Sequence, residues 1–275
     1  MIKHGAHDAA PDIEIEIEIE LPGGMGSGGG VVRVGDTVRR PQRGFTDSVN
    51  RFLRHLQAVG FTGAPRVLGT DSTGRSVLSY IDGNVGIPPF PSWTAGEELL
   101  VSVADLQHRL HAAAAGFVVP SDAVWDRINL GDPSSSAIVC HNDLCIENVV
   151  VRDGVAVAFI DFDFAAPNDP LVDIAIAARH WIPFRDPVDL DPGRIDVDPL
   201  ARFAAFCDAH HLVPGQRIAV VAAAIDFLDR ALVSMKAKAD SGLVLYLQVW
   251  EQGYPQQNRR SHAWLQQHAD ALVTT

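Results

Sequence analysis

One stretch, residues 139–175, constrains the fold of this 275-residue chain more than any other part of it. It reads VCHNDLCIENVVVRDGVAVAFIDFDFAAPNDPLVDIA. Two apolar runs separated by the turn Arg152-Asp153-Gly154 predict a β-hairpin. Polar residues interrupt the apolar runs where the predicted strands begin and end: His141, Asp143, Asn148 and Asp161. We therefore expect three side-chain oxygens to converge at one end of a small sheet, with His141 close by.

Oxygens of Asn and Asp that converge in this way suit Mg²⁺, which prefers hard oxygen ligands and keeps several waters. The charge distribution agrees with this expectation. Residues 31–75 carry eight Arg against three Asp, whereas residues 120–210 carry sixteen acids against six Arg. A basic first third and an acidic middle favour an anionic ligand on one side and a cation on the other, and two solvated faces are the alternative.

The spacing H-x-D-x-x-x-x-N, followed 13 residues later by I-D-F-D, resembles the catalytic and metal-binding loops of the eukaryotic-like kinases. It is most similar to the aminoglycoside phosphotransferase and choline kinase family. The family pattern continues as D-P-x-x-D-x-A, present here as Asp169-Pro170 and Asp173-Ile174-Ala175. The resemblance is specific over about 137–180 and looser over 13–120, and beyond about 185 only helical character matches.

The resemblance implies a role for each matching residue. Asp143 would orient or deprotonate the acceptor hydroxyl, and Asn148 and Asp161 would hold Mg²⁺ against the nucleotide phosphates. His141 and Asp173 match residues that support the loop structurally. Asp163 replaces a glycine of the pattern, and it would either support a second metal or face solvent.

The resemblance also implies an α+β, bilobal, protein-kinase-like fold. Short predicted strands and one predicted helix precede residue 82, and mostly helical patterns follow residue 91. The intervening residues 82–91 contain two Gly and three Pro, which is typical of a linker. We predict an N-terminal nucleotide-binding lobe at 1–81, a hinge at 82–91, and a C-terminal catalytic and substrate-binding lobe at 92–275.

Two segments of the predicted N-terminal lobe, called the front lobe below, resemble nucleotide-binding elements. The strictly alternating strand 13–20 leads into LPGGMGSGGG, which looks like the glycine loop that lets backbone N–H groups approach phosphates. Its nucleotide-binding candidates are Gly24, Gly26 and Ser27. The segment SVLSYIDG looks like the last strand and the hinge, so the Ser79 carbonyl and the Ile81 N–H would face the purine.

The chain departs from the family where a strand lysine pairs with the α- and β-phosphates. No lysine lies between Lys3 and Lys236, so arginine must replace it. Arg40 shares a strand face with Val38 and is our prediction, with Arg39 as the alternative. No Glu lies on the following helix to hold this cation. Asp47 is the only acid between Thr37 and Gly69, and it is expected to cap the helix.

We therefore predict a phosphotransferase that moves the γ-phosphoryl of ATP or GTP, with Mg²⁺, to a hydroxyl of a small molecule. Two alternatives stay open. The missing Lys and Glu would suit a pseudokinase that binds nucleotide without turnover. The oxygen cluster would also suit a metal-dependent phosphohydrolase, which needs neither a glycine loop nor a hinge.

Acidic residues of the predicted C-terminal lobe, called the back lobe below, predict an amine-bearing acceptor. Asp226 and Asp229 lie three positions apart, so they share a helical face near apolar residues. Five further acids lie in one loop: Asp186, Asp189, Asp191, Asp196 and Asp198. A concave acidic surface would attract an amine, and an ordinary acidic surface is the alternative.

Composition limits the compartment and the partners. Three cysteines cannot form a disulfide framework, so we expect a reducing cytosol and a cytoplasmic protein. No apolar run approaches the ~18–20 residues of a membrane span, and the N-terminus lacks the apolar stretch of a secretory signal. The net charge of −12 argues against nucleic acid or an anionic membrane as a partner.

Overall fold

The computed structural model describes residues 17–21 and 30–274. The front lobe is a five-stranded antiparallel sheet in the order β1-β2-β3-β5-β4. The predicted strand at 13–20 is described only from residue 17, and the glycine run at 22–29 lies outside the described residues. The strands are β1 (Ile19–Glu20), β2 (Val32–Val34), β3 (Thr37–Arg40), β4 (Val67–Thr70) and β5 (Ser76–Ser79).

Helix α1 (Thr46–Ala58) packs against this sheet through the apolar positions that its helical spacing predicts. Phe52 and Leu56 are fully buried. The helix has no side-chain cap, since Phe45 occupies the N-cap position. Asp47, expected as the cap, instead forms an ion pair with Arg51 at 2.7 Å. Asp47, the only acid between Thr37 and Gly69, therefore pairs with an arginine of the next helical turn instead of capping the helix.

The linker 82–91 is fixed to the back lobe by backbone hydrogen bonds. Asn84 and Val151 exchange two N–H···O bonds of 2.8 and 2.7 Å, so the linker pairs with the hairpin at residues 149–159. Gly83 makes this approach possible. Its φ is +148°, and a Cβ there would lie 2.5 Å from Val150 Cγ1 and 2.9 Å from the Val151 carbonyl oxygen. Only glycine combines this conformation with so close an approach.

The substitution Gly83→Ala is therefore expected to lower the free energy of unfolding by about 1–3 kcal/mol, because it adds a clash and backbone strain. Gly44→Ala is the matched control, since a Cβ at Gly44 would meet no atom within 4 Å. Chemical denaturation of both variants measures the difference. Equal stability of the two variants would show that the linker does not depend on this contact.

The back lobe begins with α2 (Glu97–Ala114) and the strands around the polar residues. These strands form two separate ladders, β6 with β9 and β7 with β8, rather than the single small sheet that we expected. The predicted hairpin is present as β7 and β8. The strands are β6 (Ile138–Cys140), β7 (Val149–Arg152), β8 (Val155–Phe159) and β9 (Ala166–Asn168).

Five helices complete the back lobe, in agreement with the mostly helical pattern predicted after residue 91. Within them α3 packs on α5, and α5 packs on α7. Large buried side chains such as Trp181, Phe203 and Phe206 fill the core between the helices. None of the helices in the described ranges has the length and apolarity that crossing a membrane requires. The helices are α3 (Pro170–Trp181), α4 (Pro199–Ala209), α5 (Pro214–Asp240), α6 (Val244–Glu251) and α7 (Tyr254–Thr274).

A β-rich front lobe and a helical back lobe thus agree with the α+β architecture expected from the sequence. The exact limits 1–81, 82–91 and 92–275 stay a prediction.

Candidate active site

Three of the polar residues, His141, Asp143 and Asn148, lie in the loop that joins β6 to the hairpin, and Asp161 follows β8. His141 is fully buried at the start of this loop. Its Nε2 lies 2.9 Å from the Ile160 carbonyl, and its Nδ1 lies 3.3 Å from the backbone N–H of Asp143. Because the carbonyl only accepts and the N–H only donates, the ring carries its proton on Nε2 and is neutral. Burial also lowers the pKa of His141. His141 therefore braces the two ends of the site.

Asn142 is a residue of this loop whose role the sequence analysis missed. It has a φ of +62°, a conformation that asparagine tolerates better than most residues. Its amide donates to the carbonyls of Phe164 and Ala166, and its oxygen accepts from Asn168 Nδ2 at 2.8 Å.

Asp173 is a buried hub beneath the loop. One carboxylate oxygen accepts the backbone N–H of Asn142 at 2.6 Å. The other oxygen lies 2.8 Å from Gln107 Nε2 and 2.7 Å from His111 Nε2. Burial alone would raise the pKa of Asp173, but these hydrogen bonds and the neighbouring His111 hold it below its usual range. Asp173 thus ties the loop at 141–148 to α2.

Asn148 fixes the carboxylate of Asp143. The Asn148 amide nitrogen donates to Asp143 Oδ2 at 3.0 Å and to the Asp143 backbone carbonyl at 2.8 Å. Burial raises the pKa of Asp143 to about 8, and the nearby charges of Asp161 and Glu147 act in the same direction. The hydrogen bond from Asn148 and the charge of Arg179 oppose this shift. Asp143 therefore lies among both signs of charge.

Arg40 extends from β3 of the front lobe to the acids that follow β8. Its Nη2 lies 3.0 Å from Asp161 Oδ1 and 2.7 Å from Asp163 Oδ2. Burial alone would lower the pKa of Arg40, but the two carboxylates raise it. Burial raises the pKa of Asp163 to about 6, against the opposing effect of Arg40. Asp163 is thus a partner of this arginine, and its side chain is only 14% exposed rather than facing solvent.

The donor set fits a magnesium ion. The Asn148 amide nitrogen is used by Asp143, which turns the amide oxygen of Asn148 away from that contact and leaves it to accept or coordinate. Asp161 uses Oδ1 for Arg40, and its side chain is 32% exposed at the junction of the lobes. As metal ligands, both residues would offer oxygen atoms, which Mg²⁺ prefers.

The other predicted nucleotide-binding residues are distributed along the front lobe. Arg39 points away from Arg40 and lies 3.9 Å from Asp71. Ser79 is the last residue of β5, and Ile81 follows at the start of the linker. Their contacts with a purine stay a prediction. Gly24, Gly26 and Ser27 lie outside the described residues.

The acids nominated for an amine-bearing acceptor have other partners. Asp186, Asp191 and Asp198 each accept backbone N–H groups at the start of a helix or helical turn. Asp189 binds Arg260 through two hydrogen bonds of 2.7 and 2.6 Å. Asp196 is exposed. The prediction of an acidic acceptor face therefore receives little support from this loop.

The helical pair of acids is also engaged elsewhere. Asp226 forms an ion pair with Arg230, and Asp229 lies 3.4 Å from His262. Both carboxylates are more than half exposed, at 63% and 67%. The two residues share a face of α5 as predicted, but that face is turned to solvent.

Comparisons of the sequence with known proteins give a family match and a curated relative. Residues 91–206 match the sequence profile of the phosphotransferase enzyme family. The trifolitoxin immunity protein of Rhizobium leguminosarum bv. trifolii is 36% identical over 164 residues, which are 57% of this chain and 60% of that protein. The chain thus spans about three fifths of the length of this curated relative.

Comparisons of the structure extend over nearly the whole chain. A choline/ethanolamine kinase family protein from Mesorhizobium loti has a TM-score of 0.65 at 16% identity, covering 97% of this chain and 96% of that one. A variant of aminoglycoside 2′-phosphotransferase IIIa in complex with GDP has a TM-score of 0.57 at 13% identity, covering 96% and 95%. These likenesses confirm the bilobal, kinase-like fold. With the family match, they also confirm the resemblance to aminoglycoside phosphotransferases and choline kinases.

Proposed function

We propose that this protein transfers the γ-phosphoryl of ATP or GTP, with Mg²⁺, to a hydroxyl of a small molecule. The observation that carries the proposal is a set of contacts around one point. Asn148 holds the Asp143 carboxylate at 3.0 Å, while Arg40 from the other lobe approaches Asp161 at 3.0 Å. A base, two oxygen ligands for a metal and a cation are the parts that phosphoryl transfer needs. The family match and the GDP complex of a structural neighbour support the same reaction.

Each residue of the site would have a distinct role in phosphoryl transfer. Asp143 accepts a hydrogen bond from the acceptor hydroxyl and takes its proton as the new oxygen–phosphorus bond forms and the bond to the β-phosphate breaks. Asn148 keeps the Asp143 carboxylate oriented. Asn148 and Asp161 would hold Mg²⁺, which neutralises phosphate charge when bound. Arg40 would face the nucleotide phosphates with a planar fork of donors.

Arg40 is proposed to replace the strand lysine of the family, so its loss should weaken nucleotide binding. We expect Arg40→Met to raise the Kd for the Mg²⁺–nucleotide complex at least about tenfold, because hydrogen bonds to charged groups contribute about 1.5–3 kcal/mol. Arg40→Lys should retain part of the affinity. Isothermal titration with ATP and GTP measures both effects. A larger loss from Arg39→Met than from Arg40→Met would assign the role to the neighbouring residue.

Product analysis tests the proposal and separates it from the two alternatives. Wild-type protein is incubated with Mg²⁺, ATP or GTP and a panel of hydroxylated metabolites and antibiotics. A phosphorylated acceptor supports the proposed reaction. Nucleotide binding without any product would support the pseudokinase alternative. Hydrolysis of phosphate esters without a nucleotide requirement would support a phosphohydrolase. Chelation of the divalent metal should abolish transfer.

Two finer expectations have unequal support. An amine-bearing acceptor rests on acids that act as helix caps or lie in exposed pairs, so its support is weak. A cytoplasmic location is supported by cysteines that all carry free thiols, of which Cys140 and Cys207 are buried.

A further inference from the structure

Three arginines follow one another at the end of α3 and in the loop after it. Arg194 donates from its two terminal nitrogens to the backbone carbonyls of His180 at 2.6 Å and Trp181 at 2.7 Å. Arg179 and Arg185 differ from it. Within residues 17–21 and 30–274, neither guanidinium has a hydrogen-bond acceptor or a paired carboxylate. The Arg179 guanidinium lies over the Phe227 ring, 4.5 Å from its centroid. These two cations are therefore without a counter-charge in direct contact.

Such an arrangement is costly for the fold. Burial lowers the pKa of Arg179 to about 10 and also lowers the pKa of Arg185. The charge of Asp189 reaches Arg185, but both of its carboxylate oxygens already bind Arg260. Both side chains are half-buried, and a partly desolvated charge without a counter-charge is stabilised when an anionic ligand binds beside it. Destabilising groups of this kind are characteristic of binding sites.

The two arginines line one cavity of about 50 Å³ between α3, α5 and α7. The remaining polar groups of this cavity belong to α7 and are uncharged amides and hydroxyls. No carboxylate is among the residues that line it. We call it the arginine pocket; besides Arg179 and Arg185 it is lined by Tyr254, Gln257, Asn258 and Ser261, with Phe184 and Leu228 as apolar neighbours.

The arginine pocket adjoins the catalytic loop. Trp181, two residues after Arg179, donates its indole N–H to the Leu144 carbonyl at 2.9 Å. This bond fixes the end of α3 against the residue that follows Asp143. The charge of Arg179 also lowers the pKa of Asp143, and the charge of Glu147 reaches Arg185. The pocket therefore lies on the back-lobe side of Asp143, away from Arg40 of the front lobe.

We propose that the arginine pocket binds an anionic group of the acceptor, a carboxylate or a phosphate, and that the acceptor is accordingly an anionic hydroxyl compound rather than an amine. The assignment of this anion to the acceptor rests on the proposed phosphotransferase function. The binding of an anion by Arg179 and Arg185 does not. Planar guanidinium groups match both carboxylate and phosphate oxygens, and Ser261 and Gln257 supply further donors.

Anion binding is tested without turnover, so that it can fail or succeed independently of the proposed reaction. Inorganic phosphate and acetate are titrated against chloride at constant ionic strength, by calorimetry and by thermal melting. We expect phosphate, acetate or both to bind the wild type, and the tighter of the two to indicate the anionic group. Arg179→Gln and Arg185→Gln should each raise the Kd at least about tenfold, and Arg185→Lys should keep part of the affinity.

Two further variants locate the bound anion. Arg109→Gln is the matched control, because Arg109 is exposed on α2 and pairs with Asp105; its Kd should equal that of the wild type. Arg40→Gln removes the cation of the nucleotide site and should leave anion binding in the arginine pocket intact. Absence of anion binding to the wild type would overturn the proposal. So would binding that Arg40→Gln abolishes while Arg179→Gln and Arg185→Gln keep it.

Stability without added anion gives a second readout. Removing a half-buried charge that has no counter-charge in contact should leave the Tm of Arg185→Gln unchanged or higher. A clear fall in Tm, with unchanged anion affinity, would mean that Arg185 is structural and would also overturn the proposal.

Discussion

Replacing Asp143 with Asn is expected to lower the turnover of phosphoryl transfer by at least about a hundredfold, which is the contribution of a positioned general base. The substitution keeps the shape of the side chain, and Asn148 can still approach it. The fold should therefore persist. The rate of product formation under saturating nucleotide, together with the melting temperature, measures the two effects separately.

Asp153→Asn is the matched control for this prediction. Asp153 lies exposed in the hairpin turn with a φ of +51°, which asparagine adopts readily. Its turnover should equal that of the wild type. If Asp143→Asn also stays within about threefold of the wild type, Asp143 does not act as the base.

Replacing Asp173 with Ala is expected to cost about 3–5 kcal/mol of stability, since it leaves a buried network without its acceptor. The backbone N–H of Asn142 and the side chains of Gln107 and His111 would all lose their partner. Asp105→Ala is the control, because Asp105 belongs to an exposed pair on the same helix, α2. Its cost should stay within about 0.5 kcal/mol. Urea denaturation at neutral pH measures both values.

The difference between wild type and Asp173→Ala should also depend on pH. The pKa of Asp173 is lower in the folded protein than in the unfolded chain, so its contribution is fully present above the unfolded value of about 3.9. That contribution is lost as the pH falls through the lower, folded pKa. We therefore expect the two unfolding curves to converge in acid. A difference that grows below pH 4 would contradict the hydrogen-bonding role of the carboxylate.

The loop at 141–148 and the hairpin that follows it could be predicted from the sequence because their pattern is local. Asp143, Asn148 and Asp161 lie within one hairpin and its flanks, and the apolar runs fix where the strands begin and end. Arg40 could be predicted for a different reason, since the absence of lysine left few cations on a suitable strand. The ion pair between Arg40 and Asp163 could not be predicted, because these residues lie in different lobes and are 123 positions apart in the chain (163 − 40).

The strand β9 and the partners of the loop acids became visible only in the structure. The strand β9 contains only Ala166, Pro167 and Asn168, and neither its length nor its proline predicts a strand. The loop acids were misjudged although the sequence held a signal. Asp186, Asp191 and Asp198 each precede a proline, and Asp-Pro is the expected start of a helix, with Asp as the cap and Pro in the first turn. Local capping thus explains acids that were first assigned to a ligand.

The arginine pocket was also beyond the sequence. Arg179 and Arg185 carry no recognisable motif, and most arginines of this chain pair with nearby acids or backbone carbonyls. Only the arrangement of α3, α5 and α7 around one cavity shows that these two side chains share a space that no carboxylate lines. The excess of acids in the middle of the sequence predicted an acidic acceptor region. The charged residues that line the cavity itself are the two arginines, so the cavity is positive.

Transfer of a labelled γ-phosphoryl group tests the central claim most directly. Wild-type protein in excess over [γ-³²P]ATP or [γ-³²P]GTP is mixed with Mg²⁺ and a panel of hydroxylated acceptors that includes anionic, neutral and aminated compounds. The account predicts that the label moves to an acceptor hydroxyl in the wild type and in Asp153→Asn, and stays on the nucleotide in Asp143→Asn. Label that appears only as free orthophosphate, or moves equally well in Asp143→Asn, would contradict it.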